Sequence, residues 1–597
     1  MPRPTCLRLL PVVAALGFRA AIGQADDQSA SPKSPPEELR TFELADDALQ
    51  VELVVSEPDI VSPVAIAWDA DAVLYVVEMA GYPLTPKSGR IKRLEDRDGD
   101  GQYESVTLFA EGLDFPNGVM PYRDGLLVTA APEILFLRDS NGDGVADQRR
   151  VMYTGFRTGN QQLRVNGLHW GLDNWIYGAN GRSGGAVRPG ADEEADAISI
   201  DQRDFRFHPL DGRFEAVMGM SQFGLARDDW GNRFTTFNHI FARHVALESR
   251  HVERNPQLIQ SAVFDIAEPG DDRRVHYRAG EKPSFNRDPA GYFTSLSGMA
   301  VYRGDRLGEA YQGDAFAGES AQNVVIHRRI ERDGPTFVAK RLHADREFLA
   351  STDPWFHPVF FATGPDGALY IVDFYRELVE HPQWAEEDRS HGVDWRIGAE
   401  CGRIWRVVRR EEPDSLVRRQ PPRLRAESVD DLVAALASPV GWRRDMAQQL
   451  LIERQDTSAV PALRASLVTD SPHARLHALW TLHGLDALQN RSVIGAMDDA
   501  SPHVRANAAR LAEQQLDDPA VLDALASLVA DPDQAVRFQA ALALGAAPGD
   551  ASLAALAKLA REKDSHRLTR HAILSSVGPF ADVFVRRVLG EVGGDEG

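Results

Sequence analysis

The sequence predicts a six-bladed β-propeller followed by an α-helical solenoid. Between about residues 41 and 410, short apolar or aromatic runs alternate with Asp-Gly, Asp-Asn and Pro-Asp-Gly turns, a pattern typical of strands joined by tight turns. Beyond residue 410 the chain becomes rich in alanine and leucine, and an arginine recurs about every 30 to 33 residues. This change of pattern divides the chain into a β part and a helical part.

The N-terminus has the features of an export signal. Two arginines precede a short apolar stretch, and small residues ending at Ala25 suit cleavage. We expect residues 1–25 to be a signal peptide and residues 26–40 a flexible linker, which makes the protein periplasmic or secreted. Cleavage after Ala25 would remove Cys6 and leave Cys401 as the single cysteine, so an internal disulfide is excluded.

The propeller prediction, for residues 41–410, rests on a phrase of strand, tight turn and strand that recurs six times. Units spaced by roughly 50 to 70 residues are typical of four-stranded blades, each of which buries its faces against its neighbours. A β-sandwich is the alternative, but a sandwich rarely repeats one phrase six times. The six phrases begin at Pro63, Asn117, Asn166, Phe223, Ser297 and His357.

Two acidic, glycine-rich loops interrupt the first blades, and they are nearly the same sequence. Each places oxygen-bearing side chains at its first, third, fifth and ninth positions around glycines, so that several oxygens can converge on one hard cation. We predict calcium, bound at the blade edges; a pair of acidic turns without an ion is the alternative. The predicted ligands are Asp96, Asp98, Asp100 and Glu104 in the first loop and Asp139, Asn141, Asp143 and Asp147 in the second.

The helical part, residues 431–590, follows a predicted linker at 411–430. Its arginines, such as Arg475 and Arg505, are followed three residues later by an alanine. This period is typical of paired helices and resembles compact bacterial HEAT repeats. We expect the charged residues here to form salt bridges between repeats, and we expect the linker to separate two independently folding units.

Charge and composition exclude several classes of function. The formal net charge of -22 offers no basic surface for phosphates, so we expect no nucleic-acid partner. No apolar run after the signal approaches the roughly 20 residues that a membrane-spanning helix needs, so we expect no transmembrane segment in the mature chain. The sequence also lacks a metalloprotease helix, a phosphate-binding loop and a dinucleotide-binding fingerprint.

Four further segments carry a resemblance to a known family: residues 159–167, 170–178, 364–370 and 373–382. With the other features, they resemble the exported PVC-type membrane-bound dehydrogenases of bacteria over most of the mature chain. The propeller of that family is similar to the soluble glucose and sorbosone dehydrogenases, which bind pyrroloquinoline quinone (PQQ) and calcium and oxidise sugars at the central mouth. The resemblance therefore implies an oxidoreductase with PQQ and calcium as cofactors.

The chain departs from that family in two respects. It lacks the C-x-x-C-H motif found in many members, so it cannot attach haem covalently, and electrons would leave to a separate acceptor. The resemblance also implies a catalytic histidine at the position of Leu163, and leucine cannot accept a proton. His169, nearby on the predicted strand, is the candidate replacement.

Polar residues beside the strand phrases should converge on the central mouth of the propeller. His169, Arg164 and Asp373 are the catalytic candidates. Each arginine has an alternative role in a salt bridge between blades, and Asn238, His239 and His244 in the fourth blade are more often structural than catalytic. The candidates for binding substrate or cofactor are Glu78, Asn117, Asn166, Arg182, Gln222, His357, Tyr375 and Arg376.

Three functions remain open at this point. The first is a quinoprotein-type dehydrogenase that acts on, or binds, a carbohydrate-like ligand at the propeller mouth. The second is a non-catalytic scaffold that uses the propeller and the HEAT-like repeats to bind a protein or a polysaccharide; Leu163 and the missing haem motif favour it. The third is a calcium-dependent hydrolase or lactonase with a metal at the centre of the channel.

Overall fold

The computed structural model describes residues 31–190, 192, 194–258, 261–271, 273–279, 290–385, 387, 391–410, 422–563 and 565–590. The predicted signal peptide, including Cys6, lies outside these residues, and so do residues 411–421 of the predicted linker.

The β part contains 28 described strands. In chain order they are β1 (Phe42–Leu44), β2 (Leu49–Ser56), β3 (Pro63–Trp68), β4 (Leu74–Glu78), β5 (Gly89–Glu95), β6 (Ser105–Leu113), β7 (Gly118–Tyr122), β8 (Gly125–Ala130), β9 (Glu133–Arg138), β10 (Gln148–Phe156), β11 (Asn166–Trp170), β12 (Ile176–Ala179), β13 (Gly185–Pro189), β14 (Ile198–Ser199), β15 (Asp204–Phe207) and β16 (Phe214–Val217). They continue with β17 (Leu225–Arg227), β18 (Arg233–Phe237), β19 (Ile240–Val245), β20 (Val263–Asp265), β21 (Leu296–Val301), β22 (Ala315–Glu319), β23 (Val324–Asp333), β24 (Thr336–Arg341), β25 (Leu349–Ser351), β26 (Pro358–Thr363), β27 (Leu369–Asp373) and β28 (Arg403–Arg409).

These strands form six antiparallel sheets, which are the six blades of a propeller. Blade 1 is β3 to β6, blade 2 is β7 to β10 with β13 and β14 added, and blade 3 is β11, β12, β15 and β16. Blade 4 is β17 to β20, blade 5 is built on β21, β22 and β23, and blade 6 is β26, β27, β28 and β2. The first strands of successive blades pack side by side, and β26 returns to β3, so the ring is closed. The predicted propeller is confirmed.

The ring is closed by pairing the two ends of the β part. Strand β2 lies antiparallel to β28, with Leu49 opposite Arg409 and Ser56 opposite Arg403. Since these partners are far apart in sequence, the sixth blade completes only when both ends of the propeller are in place.

The helical part is a solenoid of paired helices, as predicted. Short helices α1 (Pro35–Leu39) and α2 (Ser249–Glu253) belong to the β part. The solenoid contains α3 (Val429–Ala435), α4 (Gly441–Arg454), α5 (Val460–Ser466), α6 (Pro472–Gly484), α7 (Asn490–Met497), α8 (Pro502–Ala512), α9 (Pro519–Ser527), α10 (Gln534–Leu544), α11 (Asp550–Ala560), α12 (Arg567–Val577) and α13 (Ala581–Gly590). None of the described helices is long and apolar enough to cross a membrane.

The recurring arginines of the solenoid join one repeat to the next. Arg475 forms a two-pronged salt bridge with Asp499, at 2.7 Å for both N–O pairs. Arg505 does the same with Asp531, at 2.7 and 2.9 Å. The predicted ladder of salt bridges is therefore present.

The solenoid packs across one end of the propeller, against the tight turns that follow the inner strands. The side chain of Asn174, in the blade 3 turn, donates to the carbonyl of Trp480 in α6 at 2.8 Å. Asn507 in α8 donates to the carbonyl of Trp230, in the blade 4 turn, at 3.1 Å. The described residues from 32 to 590 consequently cluster as one compact unit, in which the solenoid and the propeller share an interface. The repeated turns, which on their own looked like connections, are docking points for the helices.

Candidate functional site

A cavity of about 560 Å³ lies at the opposite end of the propeller, where the inner strands begin. Every blade contributes to it, because the first residues of all six inner strands meet there. One lining residue from each blade is Val64, Asn117, Asn166, Gln222, Ser297 and His357. A larger open cleft, of about 910 Å³, lies beside the first acidic loop at the outer edge; it is bordered by Pro422, the first described residue after a gap.

Residues 377–385, which we call the strap, follow β27 of blade 6 and run over this cavity. The Tyr82 hydroxyl of blade 1 donates to the carbonyl of Val379 at 3.3 Å, and the Gln162 side chain, just before blade 3, donates to the same carbonyl at 2.9 Å. Trp384 of the strap lines the cavity and is 43% exposed. The strap thus forms part of the wall and connects three blades.

Amide side chains provide much of the polar lining. Asn166 is fully used by the fold, since its Nδ2 donates to the carbonyls of Arg164 and Gln222 at 2.9 Å and its Oδ1 accepts from Gly224 N at 2.6 Å. Asn117 differs: its Nδ2 donates to the Gln161 carbonyl at 3.1 Å, but its buried Oδ1 has no hydrogen-bond partner among the described residues. A buried acceptor without a partner is costly, so Asn117 is suited to accept a hydrogen bond from a ligand.

Arg182 is the one cationic side chain of Lys or Arg type among the described residues that line the cavity. Its guanidinium lies over the Phe237 ring, 4.3 Å from the centroid. No described carboxylate lies within ion-pair distance of it, and its backbone φ is 77°, which non-glycine residues seldom adopt.

Two histidines line the cavity with defined orientations. His239 Nδ1 lies 2.9 Å from the Phe293 carbonyl, and His357 Nδ1 lies close to the Ser320 carbonyl, at 2.6 Å. A carbonyl can only accept, so Nδ1 carries a proton in each ring, and in the neutral ring Nε2 is the acceptor. His357 is buried, whereas His239 is exposed to the cavity.

His169 does not lie at the cavity, and its assignment as a replacement base is wrong. Its ring stacks on Tyr177 with the centroids 5.6 Å apart, and both ring nitrogens are buried. Burial, helped by the nearby Arg227, lowers the pKa of His169 to about 3. His244 is also structural: it is buried against Thr336, with Nδ1 at 3.1 Å from the hydroxyl, and burial lowers its pKa to about 3.

Asp373 and Glu78 accept hydrogen bonds from backbone N–H groups just before inner strands begin, and neither lines the cavity. Asp373 ends β27, and its Oδ1 accepts from the backbone N–H of His357 at 2.9 Å. Glu78 ends β4, and its Oε1 accepts from Val61 N at 2.8 Å. Glu319 ends β22 in the same way and accepts from Ser295 N at 3.0 Å. All three are fully buried, so the catalytic role predicted for Asp373 and the binding role predicted for Glu78 are corrected.

Arg164, Tyr375 and Arg376 also point away from the cavity. Arg164 forms a salt bridge with Asp114 at 2.9 Å, the role between blades that was its alternative. The Tyr375 hydroxyl donates to Asp353 at 2.9 Å. Arg376 is buried and donates to the Tyr82 carbonyl at 2.7 Å, which anchors the start of the strap. These three side chains bond to other parts of the protein and do not line the cavity.

The acidic loops lie at corresponding hairpins of blades 1 and 2 and each touches the preceding blade. In the first loop the side-chain oxygens of Asp96, Asp98, Asp100 and Glu104 lie within 4.8 Å of one another. Ligands that are each 2.3–2.6 Å from a calcium ion are separated by no more than about this distance. In the second loop Asp139 accepts from Gly142 and Gly144, as Asp96 does from Gly99 and Gly101, but the described carboxylates do not form such a group.

Several functional features escaped the sequence interpretation. Gln162 and Trp384 line the cavity, yet only the strap brings Trp384 there. Segment 373–382 was recognised as a motif, but its function as a strap depends on contacts with distant blades. The positive φ of Arg182, after Gly181, is a backbone feature that the sequence does not show.

In the helical part, residues 492–577 match the family model for HEAT repeats. Among curated proteins no match was found. The PVC-type dehydrogenase family that the sequence motifs resemble is not confirmed.

The solved structures similar to this one are covered over nearly their whole length, at low sequence identity. The PQQ domain of pyranose dehydrogenase from Coprinopsis cinerea is 12% identical, with 62% of this chain and 97% of that chain covered and a TM-score of 0.35. The soluble aldose sugar dehydrogenase from Escherichia coli is 13% identical, with 61% and 100% covered and a TM-score of 0.33. A luciferin-regenerating enzyme is 11% identical, with 60% and 95% covered and a TM-score of 0.36.

The β part also has a family match of its own. Residues 34–411, which span the propeller from α1 to the end of β28, match the model described as a domain of unknown function, DUF7133. This match covers more than half of the chain, and the protein therefore belongs to the DUF7133 family.

Proposed function

We propose that the propeller binds a carbohydrate-like ligand in the cavity beneath the strap. The observation that carries this proposal is the combination of amide side chains and aromatic rings in one lining. Amides donate and accept at the same time, as saccharide hydroxyls do, and aromatic rings cover the apolar faces of sugar rings. The amides are Asn117, Gln162, Asn166, Gln222, Asn238 and Gln322, and the rings are Tyr82, Phe223, Phe360, Phe374 and Trp384.

Two groups in this lining have capacity for a ligand. Asn117 lines the cavity and its buried Oδ1 has no described partner, so a reorientation of the amide would let it accept from a hydroxyl. His239 Nε2 can also accept, because its Nδ1 proton is directed at the Phe293 carbonyl. His239 is exposed to the cavity, which Leu163 also lines, so its Nε2 is placed to accept a hydrogen bond from a ligand hydroxyl.

The quinone cofactor implied by the family resemblance does not fit this lining. PQQ carries three carboxylates, which require several cationic partners. The described lining offers Arg182 and no other lysine or arginine, and it includes Glu377 and Glu380. The function that we propose is ligand binding, and we assign no step of oxidation to the cavity.

The two other functions receive less support. A hydrolase would need metal ligands at the channel centre, and the one described group of three or more acidic, His or Cys side chains with suitable spacing is at Asp96 on the rim. A scaffold would use the HEAT repeats, but α4, α6 and α8 face the propeller. A protein partner would therefore contact the outer helices.

We also propose that the protein is exported and that calcium binds the first acidic loop. The proposal of export rests on the N-terminal sequence. The proposal of calcium binding rests on the four carboxylates that converge in the first loop. Neither proposal bears on the identity of the ligand in the cavity, which lies at the other side of the blades.

A panel of saccharides tests the proposed function by thermal unfolding and calorimetric titration of the whole chain. A ligand at a hundred times its dissociation constant stabilises the fold by about 2.7 kcal/mol. Asn117→Ala and Trp384→Ala should reduce the affinity. Leu589→Ala, which removes an apolar side chain that is 63% exposed on α13, is the control and should not change it. If no saccharide raises the melting temperature at millimolar concentration, the proposed function is wrong.

A further inference from the structure

We propose that the ligand of the cavity is an acidic saccharide with a single anionic oxygen group, which Arg182 binds. This inference rests on the proposed function and goes further by naming the class of saccharide. It concerns the one side chain of the lining whose charge the described protein leaves without a counter-charge.

The Arg182 guanidinium has no carboxylate partner among the described residues. It faces the cavity, and its contact within the protein is the Phe237 ring at 4.3 Å. A guanidinium on an aromatic face keeps its N–H groups available at its edge, where a carboxylate or a sulfate can accept two parallel hydrogen bonds. Arg182 is exposed, so these donors are accessible.

Other arginines near the propeller centre differ from Arg182 in this respect. Arg164 is paired with Asp114 at 2.9 Å. Arg376 donates to the Tyr82 carbonyl and to the Ser62 hydroxyl, both at 2.7 Å. The N–H groups of both arginines are used in contacts within the fold. Arg182 differs from these two, because no described residue accepts a hydrogen bond from its guanidinium.

The backbone at this position supports the same conclusion. Gly181 and Arg182 both have positive φ, at 68° and 77°. Glycine is required at 181, because an added Cβ would lie 2.0 Å from the Arg164 carbonyl oxygen. No such contact requires arginine at 182, where glycine would also relieve the strain. Arginine at a position that glycine would occupy without strain, on the wall of the cavity, fits a role of its side chain in binding.

The surrounding charges limit the ligand to one anionic group. Glu377 and Glu380 belong to the same lining, and both have interactions of their own within the protein. The chain as a whole carries a formal net charge of -22. A polyanion would meet repulsion from both sources, whereas one carboxylate or sulfate at Arg182 leaves the hydroxyls of the ligand to the amides and glutamates.

Calorimetric titration of the full chain tests the inference with galacturonate, with neutral galactose as its matched control and with galactose 6-sulfate to distinguish the source of the anion. We expect galacturonate or the sulfate to bind at least tenfold more tightly than galactose. Arg182→Gln and Arg182→Gly should bring the acidic sugars to the affinity of galactose, and the glycine variant suits the left-handed backbone, so it preserves folding. Arg243→Gln is the control, since Arg243 lies on the same Phe237 ring but outside the cavity lining.

Two kinds of outcome would overturn a stated part. If galactose binds as tightly as both acidic sugars, or if the preference for acid persists in both Arg182 variants, the proposed function stands and the role of Arg182 is wrong. If none of the three sugars binds, and no other saccharide of the panel does, the proposed function fails and the inference fails with it. A higher affinity for the sulfate than for galacturonate identifies a sulfate ester as the anionic group.

Discussion

Arg303 of blade 5 and Asp445 of α4 form a two-pronged salt bridge, with N–O distances of 2.6 and 3.0 Å, across the boundary between propeller and solenoid. Arg227 also contacts Asp445, at 2.6 Å. Burial by itself would raise the pKa of Asp445, but Arg227 and Arg303 outweigh it and hold that pKa well below its usual range. The solenoid is therefore bound to the propeller through charges that are largely shielded from water.

Replacing Asp445 by alanine should destabilise the whole chain. The change leaves the buried Arg227 without its carboxylate and leaves Arg303 with Asp229 as its remaining partner. Removing one partner of a buried ion pair usually costs about 3–5 kcal/mol. Denaturant unfolding should show it as a lower midpoint within a single transition, since both parts form one compact unit. Asp523→Ala, on an exposed face of α9, should change the midpoint little. Two separate transitions in the wild-type chain would contradict a shared core.

Glu319 should make stability depend on pH in a defined direction. Burial raises its pKa to about 7, so the protonated carboxyl favours the folded state. This contribution is fully present below the ordinary pKa of 4.5 and is lost as the pH rises through about 7. Glu319→Gln cannot titrate, and one pKa unit corresponds to about 1.4 kcal/mol. Relative to wild type, the variant should therefore gain stability between pH 5 and pH 8.

Buried histidines titrate over part of the same range, but they do so equally in both proteins and cancel in the difference. The measurement is the free energy of unfolding of wild type and variant at each pH. Glu111→Gln, at an exposed position, should show no such trend. A difference between wild type and Glu319→Gln that stays constant from pH 5 to pH 8 would show that Glu319 is ionised in the folded protein at pH 5.

Calcium should stabilise the propeller through the first acidic loop. Four carboxylates within 4.8 Å repel one another until a cation is bound. We expect a chelator to lower the melting temperature, and Asp98→Ala to remove most of that response. Asn141→Ala, at the corresponding position of the second loop, is the comparison and should have the smaller effect. Identical melting curves with and without chelator would exclude a calcium ion that stabilises the fold.

Reconstitution with PQQ and calcium should give no dye reduction with common sugars. Leu163 lines the cavity where the resemblance implies a base, and Arg182 is the one lysine- or arginine-type cation of the described lining. Leu163→His supplies a base but no further cation, so we expect no gain in activity. Robust quinone-dependent turnover by the wild-type chain would show that PQQ binds elsewhere or in another way.

The sequence was sufficient for the architecture because blades and helical repeats are periodic, and periodic burial is visible in one chain. It also placed Asn117, Asn166, Arg182, Gln222 and His357 beside strand ends that meet at the cavity. It could not separate these residues from Glu78 and Asp373, since a buried cap and a ligand contact occupy neighbouring positions at the same strand ends. The strap was equally hidden, because its function depends on hydrogen bonds from two other blades.

Hydrogen exchange of the whole chain, with and without galacturonate and galactose, tests most directly whether the strap-covered cavity is the ligand site. We expect slower exchange in the strap, residues 377–385, and around Gln222 in blade 4, with no change in the first acidic loop or in the outer helices of the solenoid. Slower exchange at the acidic loop or on the outer helices, with the strap unaffected while the sugar is bound, would contradict it.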